Sequence, residues 1–143
     1  MKVLIAGGTG FIGKALTDYL ISCGVEVNVL SRGKLSCGES VSYYKWDVEN
    51  GFIDVKAFEG VDAVVNMTGA NIGEKRWTEK RKIEIVDSRI KPLKLLLKYL
   101  HKLNMHVDTF ISSSAVGFYG VLNSQHIFTE EDRSGHDFLS SVC

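Results

Sequence analysis

The segment Gly7-Gly8-Thr9-Gly10-Phe11-Ile12-Gly13 constrains the fold more than any other feature of the chain. Before it, Lys2 to Ala6 is a short apolar run that stops abruptly at the glycines, the pattern of a strand buried on both faces. After it, Phe11, Ile12, Ala15, Leu16, Tyr19, Leu20 and Cys23 recur at helical spacing, and Gly24 stands where a helix end favours positive φ. The glycines therefore join a strand to a helix. In such a junction Gly7 permits a tight turn, Gly10 lets the backbone approach a diphosphate, and Gly13 lets the helix pack closely on the strand. Free N–H groups and the positive dipole end of the helix then favour an anion.

A second motif overlaps the first, because Gly8 to Lys14 also fits G-x-x-x-x-G-K, the opening of a P-loop. A P-loop needs Ser or Thr next to hold Mg²⁺, and Ala15 offers no oxygen. Lys14 then reads as an ordinary exposed helix residue, and an ATPase loses its metal ligand. A turn without any ligand would leave three glycines in one junction without a use, so dinucleotide binding is the better reading. Which dinucleotide depends on the end of the second strand, Val25 to Leu30, where an acid would hold the ribose hydroxyls of NAD. Ser31 and Arg32 stand there instead, with Lys34 close behind, and a guanidinium pairs well with a 2′-phosphate. NADP is expected in preference to NAD. The competing reading, Arg32 as a solvated loop residue, leaves the missing acid unexplained.

Farther along, Ser42 to Trp46 forms a third strand ending at Asp47, and Val61 to Met67 forms a fourth that runs into Thr68-Gly69. Thr78 to Leu103 is a long helical pattern with half a capping box, Thr78 followed by Arg81, and Pro92 is expected to kink or divide it. Thr109 to Ser113 makes a fifth strand with Ser112-Ser113-Ser114 at its end, Gly117 to Ser134 is polar and irregular, and His136 to Cys143 begins another helix. Strands alternating with helices imply an α/β, Rossmann-like, doubly wound parallel sheet that binds ligands beyond the carboxyl ends of its strands. A single domain over residues 1–143, without an internal boundary, is expected.

Composition narrows the function classes. With 45% apolar and 24% charged residues in a chain of 143, a packed soluble domain is expected. Seventeen basic residues balance seventeen acidic ones, so nothing favours nucleic acid or an anionic membrane. No apolar run reaches the ~20 residues of a bilayer span, and a cytoplasmic location is expected. Cys23, Cys37 and Cys143 lack paired spacing, which points to free thiols without disulfide or metal. His101, His106, His126 and His136 show no ligand pattern and read as solvated or structural.

Together, the glycine turn, Asn66-Met67-Thr68-Gly69 and Ser112-Ser113-Ser114-Ala115-Val116 resemble the extended short-chain dehydrogenase/reductase superfamily. Leu30-Ser31-Arg32, Arg76-Trp77-Thr78, Asp87-Ser88-Arg89, Ser114 to Gly120 and Asp137-Phe138-Leu139 are similar to its atypical epimerase-family subgroup, related to YfcH and SDR39U. The resemblance implies that Gly7, Thr9, Gly10, Phe11 and Ile12 wrap the pyrophosphate, Ser31 and Arg32 take the 2′-phosphate, and Asp47 lies near the adenine. It places Met67, Thr68 and Gly69 along a ribose, and assigns Glu84 and Arg89 to the cofactor. As residues of a charged helix, those two read equally well as surface groups, and five residues apart they do not face each other.

In typical relatives a Ser or Thr at the end of the fifth strand polarises the substrate, while a Tyr-x-x-x-Lys helix moves the proton. Ser114 matches the first role, and alternation puts Ser112 on its side of the strand and Ser113 on the other. The dyad is different: Leu139 stands at the tyrosine position and Cys143 at the lysine position. Leucine transfers no proton, and a thiol supplies no fixed positive charge. Tyr119 is the nearest replacement acid, alongside a role in packing or substrate contact. Two functions follow: an NADP-dependent oxidoreductase or epimerase acting on an unknown small alcohol or carbonyl compound, or a non-catalytic NADP(H)-binding module or redox sensor. Relatives are longer, so an incomplete domain lacking the C-terminal substrate part is expected, with homo-oligomer formation left open.

Overall fold

The computed structural model describes residues 1–33, 40–120 and 125–143, so the expectations placed on Lys34 and Cys37 lie outside the described residues. Two compact units divide the chain, Met1–Ser112 and Ser113–Cys143.

The first unit contains β1 (Lys2–Ala6), α1 (Phe11–Ser22), β2 (Glu26–Ser31), β3 (Val41–Asp47), β4 (Phe52–Ile53), a 3-10 turn (Val55–Phe58), β5 (Ala63–Asn66), α2 (Glu79–Lys102) and β6 (Thr109–Ser112). Its sheet runs β4-β3-β2-β1-β5-β6, and every neighbouring pair is parallel except β3 with β4. β5 and β6 are the fourth and fifth strands expected from sequence. Chain order reverses beside β1, the switch point at which a doubly wound sheet opens a crevice.

Each face of the sheet carries its own core. On one, Leu4, Ala6, Leu30 and Val64 pack with Phe58 and with Leu95, Leu96, Tyr99 and Leu100 of α2. On the other, Val3, Ile5, Val27, Val29 and Val65 pack with Leu16, Leu20 and Ile21 of α1. β1 thus has apolar residues on both sides because both sides are covered, which is why its sequence shows no alternation. Gly24, with φ +75°, follows the C-cap Cys23 of α1 as expected.

Pro92 does not divide α2, which runs unbroken through it. Ile85 before the proline and Leu95, Leu96 and Tyr99 after it are buried. At about 1.5–3 kcal/mol per buried side chain, their burial outweighs the ~3 kcal/mol of an interior proline. β4 and the 3-10 turn were not legible as elements, since a two-residue strand has no period. A tertiary bond holds β4, the Ile53 amide donating to the Tyr99 hydroxyl at 3.0 Å, and a local cap holds the 3-10 turn, the Asp54 carboxylate accepting from the Lys56 amide at 3.1 Å.

In the second unit a 3-10 turn, Val116–Tyr119, precedes α3 (Phe138–Val142). Asp137 caps α3 by accepting from the Ser140 amide at 2.9 Å. Gly117 admits Leu139 and Cys143, whose Cβ and Sγ would lie 3.6 and 3.8 Å from a Cβ at that position. No helix among the described residues is long and apolar enough to cross a membrane.

Candidate functional site

The glycine turn between β1 and α1 is built from backbone alone. Gly7 has φ +88°, and its carbonyl accepts from the Gly10 amide at 3.0 Å. A Cβ on Gly7 would stand 2.7 Å from the Met67 carbonyl oxygen, so only glycine lets this turn pass against the end of β5. Gly13 is tighter still, with 2.2 Å from an added Cβ to the Gly7 carbonyl oxygen and 2.7 Å to Gly8 Cα. Gly10 is the N-cap of α1 and offers no side-chain cap, and the first turn holds no acid. Its amides and dipole face outward without a competing carboxylate.

A cavity of about 840 Å³ opens beside this turn. Gly7, Thr9 and Gly10 line it from the turn, Ser31 and Arg32 from the end of β2, and Asp47 from the end of β3. Met67, Thr68 and Gly69 line it after β5, and Glu84 from α2. The structure thus brings ten of the residues singled out by sequence to one crevice at the carboxyl ends of the strands. Phe11 and Ile12 are instead exposed on the first turn of α1, outside the lining.

Hydrogen bonds fix the walls. The Ser31 hydroxyl accepts from the Gly33 amide at 3.2 Å. Asp47 accepts from the Asn50 amide at 3.1 Å and from its side-chain Nδ2 at 2.8 Å, and these bonds hold its carboxyl below the usual range. Buried Asn66 accepts from the Thr68 hydroxyl at 2.7 Å and donates to the Ser112 hydroxyl at 3.2 Å, tying the loop after β5 to the neighbouring strand.

Glu84 and Arg89 face different partners. Glu84 pairs with Arg81 at 2.6 Å, and that hydrogen bond keeps its carboxyl below the ordinary value. Arg89 lies behind the loop rather than in the cavity lining, donating to Ile85 O at 3.0 Å and to Ala70 O at 3.3 Å. Its Cζ would be 2.9 Å from a Cβ on Gly69, so this glycine and this arginine fit together. Sequence reasoning missed Arg81, whose side chain is 5% exposed and donates to Asn71 O at 2.7 Å. The signal that could have found it was the position three residues after the Thr78 cap, where an acid was sought.

Ser114 and Tyr119 belong to the second unit. Ser114 is exposed, two residues after β6 ends. The Tyr119 hydroxyl donates to Thr129 O at 3.0 Å, and its ring stacks on Phe128 at 4.7 Å, which engages it in local packing. His126 pairs with Asp132 at 2.9 Å. Among the described residues no cluster of His, Cys, Asp and Glu could hold a metal, and Cys23 and Cys143 are free thiols.

Residues 3–140 match the NAD dependent epimerase/dehydratase family. An epimerase family protein of Mycobacterium leprae is 38% identical over 141 residues, covering 99% of this chain and 44% of its own length. The human epimerase family protein SDR39U1 is 34% identical over 141 residues, covering 96% and 44%. A crystal structure of human SDR39U1 with NADPH superposes with a TM-score of 0.77 at 32% identity, covering 99% of this chain and 46% of that one. UDP-glucose 4-epimerase of Bifidobacterium longum, in complex with NAD⁺ and UDP, gives 0.78 at 26% identity, covering 99% and 45%. The chain spans about half the length of these relatives. With a family match across nearly all of its residues and a Rossmann-like sheet shared with solved epimerases, this chain belongs to the NAD dependent epimerase/dehydratase family.

Proposed function

We propose that the chain is the dinucleotide-binding part of an NADP(H)-dependent oxidoreductase or epimerase acting on a small alcohol or carbonyl compound. The observation that carries this reading is the combination, in one cavity, of the glycine turn at the α1 N-terminus, which no side chain caps, with Ser31 and Arg32 where an NAD site would place an acid. Gly10, where an added Cβ would meet only Gly7 O at 3.2 Å, leaves the open side of the turn free for a pyrophosphate, while Gly7 and Gly13 let the turn pack against the end of β5 and the start of α1. The human relative crystallised with NADPH supports the same choice.

On this reading Gly7, Thr9, Gly10, Phe11 and Ile12 surround the pyrophosphate, and Asp47, held in place by Asn50, borders the adenine. Met67, Thr68 and Gly69 line the nicotinamide ribose. Glu84 contributes from the cavity wall, and Arg89 shapes the loop at Gly69 from behind. Ser114 would orient the substrate oxygen, with Tyr119 the candidate acid once its bond to Thr129 is released. When bound, the cofactor supplies hydride transfer.

A second reading, a binding module without turnover, is favoured by the occupants of the dyad positions, since Leu139 on α3 and Cys143 at its C-cap carry neither phenol nor ammonium. Fluorescence titration with NADPH and NADH, on the natural chain and on Arg32→Asp, tests the cofactor. NADPH should bind more tightly, and Arg32→Asp should abolish that preference; equal affinities in the natural chain would refute it. Oxidation of bound NADPH by small aldehydes and ketones separates the enzyme from the module.

A further inference from the structure

Besides Arg32, three lysines line the cavity: Lys91 is paired with Glu49 and Asp87, Lys80 stands on α2, and Lys45 alone stands on a strand beside Ser31. Lys45 lies on β3 directly opposite Ser31 of β2, in a parallel register that runs from Val27 with Val41 to Ser31 with Lys45. Residues paired across a sheet project to the same face, about 4.8 Å apart. Val27 and Val29 on β2, and Val41 and Tyr43 on β3, all belong to the core beneath α1, so Ser31 and Lys45 continue that face at the carboxyl edge. Gly8 packs on Val29 of the same face, which puts this edge beside the glycine turn.

Ser31, Arg32 and Lys45 all line the cavity. Among the described residues, no carboxylate comes within ion-pair distance of Arg32 or Lys45. Asp47, two residues along β3 on that face, is hydrogen-bonded to Asn50, and the Lys45 charge is the smallest of the influences that hold its carboxyl low. Ser31 accepts from Gly33, which leaves its own proton available to an acceptor. Two cations and a hydroxyl donor at one strand edge suit a dianionic phosphate monoester and give a neutral diol no matching acceptor.

We propose that Lys45 is the second cation of a 2′-phosphate subsite, acting with Arg32 and the Ser31 hydroxyl to select NADP(H) over NAD(H). This rests on the functional reading above and extends it to a residue on the neighbouring strand.

NADPH and NADH binding, followed by nicotinamide fluorescence, tests the assignment in the natural chain, Lys45→Gln and Lys45→Arg, with adenosine 2′,5′-bisphosphate as a competing probe. Lys45→Gln should weaken NADPH and the bisphosphate about tenfold, the effect of one exposed charge-assisted contact, while NADH stays within about twofold. Lys45→Arg should retain most of the NADPH affinity. Unchanged NADPH binding in Lys45→Gln, or equal weakening of both dinucleotides, overturns the proposal while the functional reading stands. If the natural chain binds neither dinucleotide, or prefers NADH, the functional reading falls and takes this assignment with it.

Discussion

Gly13→Ala isolates the step on which the site is built, the close approach of α1 to the turn that precedes it. Two effects compete. Alanine is the better helix former by about 0.8–1.0 kcal/mol, and it also restricts the unfolded chain, so an unobstructed position would be stabilised. Against this, the new Cβ would lie 2.2 Å from the Gly7 carbonyl oxygen, 2.7 Å from Gly8 Cα and 2.9 Å from the Gly7 carbonyl carbon. All three are backbone atoms, so no side chain can swing away. Relief requires α1 to lift from β1, loosening the Leu16, Leu20 and Ile21 contacts with Val3 and Ile5. Overpacking of this kind costs about 1–3 kcal/mol, and with backbone on every side the upper end applies, leaving a net loss of about 2 kcal/mol. Urea unfolding followed by the fluorescence of buried Trp46 measures it. Gly10→Ala is the internal comparison, because its Cβ would meet only Gly7 O at 3.2 Å. That variant should lose less than about 1 kcal/mol, yet it should still obstruct the diphosphate. A Gly13→Ala protein as stable as the natural chain would refute the packing argument, whatever its affinity for nucleotide.

Tyr99→Phe removes the hydroxyl that accepts from the Ile53 amide at 3.0 Å and leaves that buried amide without its acceptor, so a loss of about 1–3 kcal/mol is expected in the same urea assay. A loss below about 0.5 kcal/mol would mean that β4 is held by its ladder alone. The carboxyl of Glu84 is held below its ordinary value of 4.5, first by the hydrogen bond from Arg81 and then by the Arg81 charge. Because the folded value is the lower one, this contribution is complete above about pH 4.5 and fades as pH falls through the folded value. Acidification should therefore loosen the segment that Arg81 anchors, read from Trp77 fluorescence, and Glu84→Gln should remove that transition. Its persistence in the variant would assign it to another carboxylate.

Sequence by itself determined the elements whose causes are local. The Lys2–Ala6 run, the glycine junction and the helical spacing after it fixed β1, the turn and the start of α1 to the residue, because glycine geometry and apolar periodicity act over a few neighbours. The absent acid after β2 and the leucine and cysteine at the dyad positions were likewise legible, since they are matters of residue type. Tertiary structure decided the rest. Whether Pro92 would break α2 depended on what its flanking residues bury against, and the core on that face kept the helix whole. Arg81 read as a poor capping partner until the loop at Asn71 came within reach of its guanidinium. Arg89 and Glu84, five residues apart in the chain, took different partners, the loop after β5 for Arg89 and Arg81 for Glu84. The pairing of Ser31 with Lys45 lay in strand register, set by how two separated segments align, and no local pattern encodes that alignment.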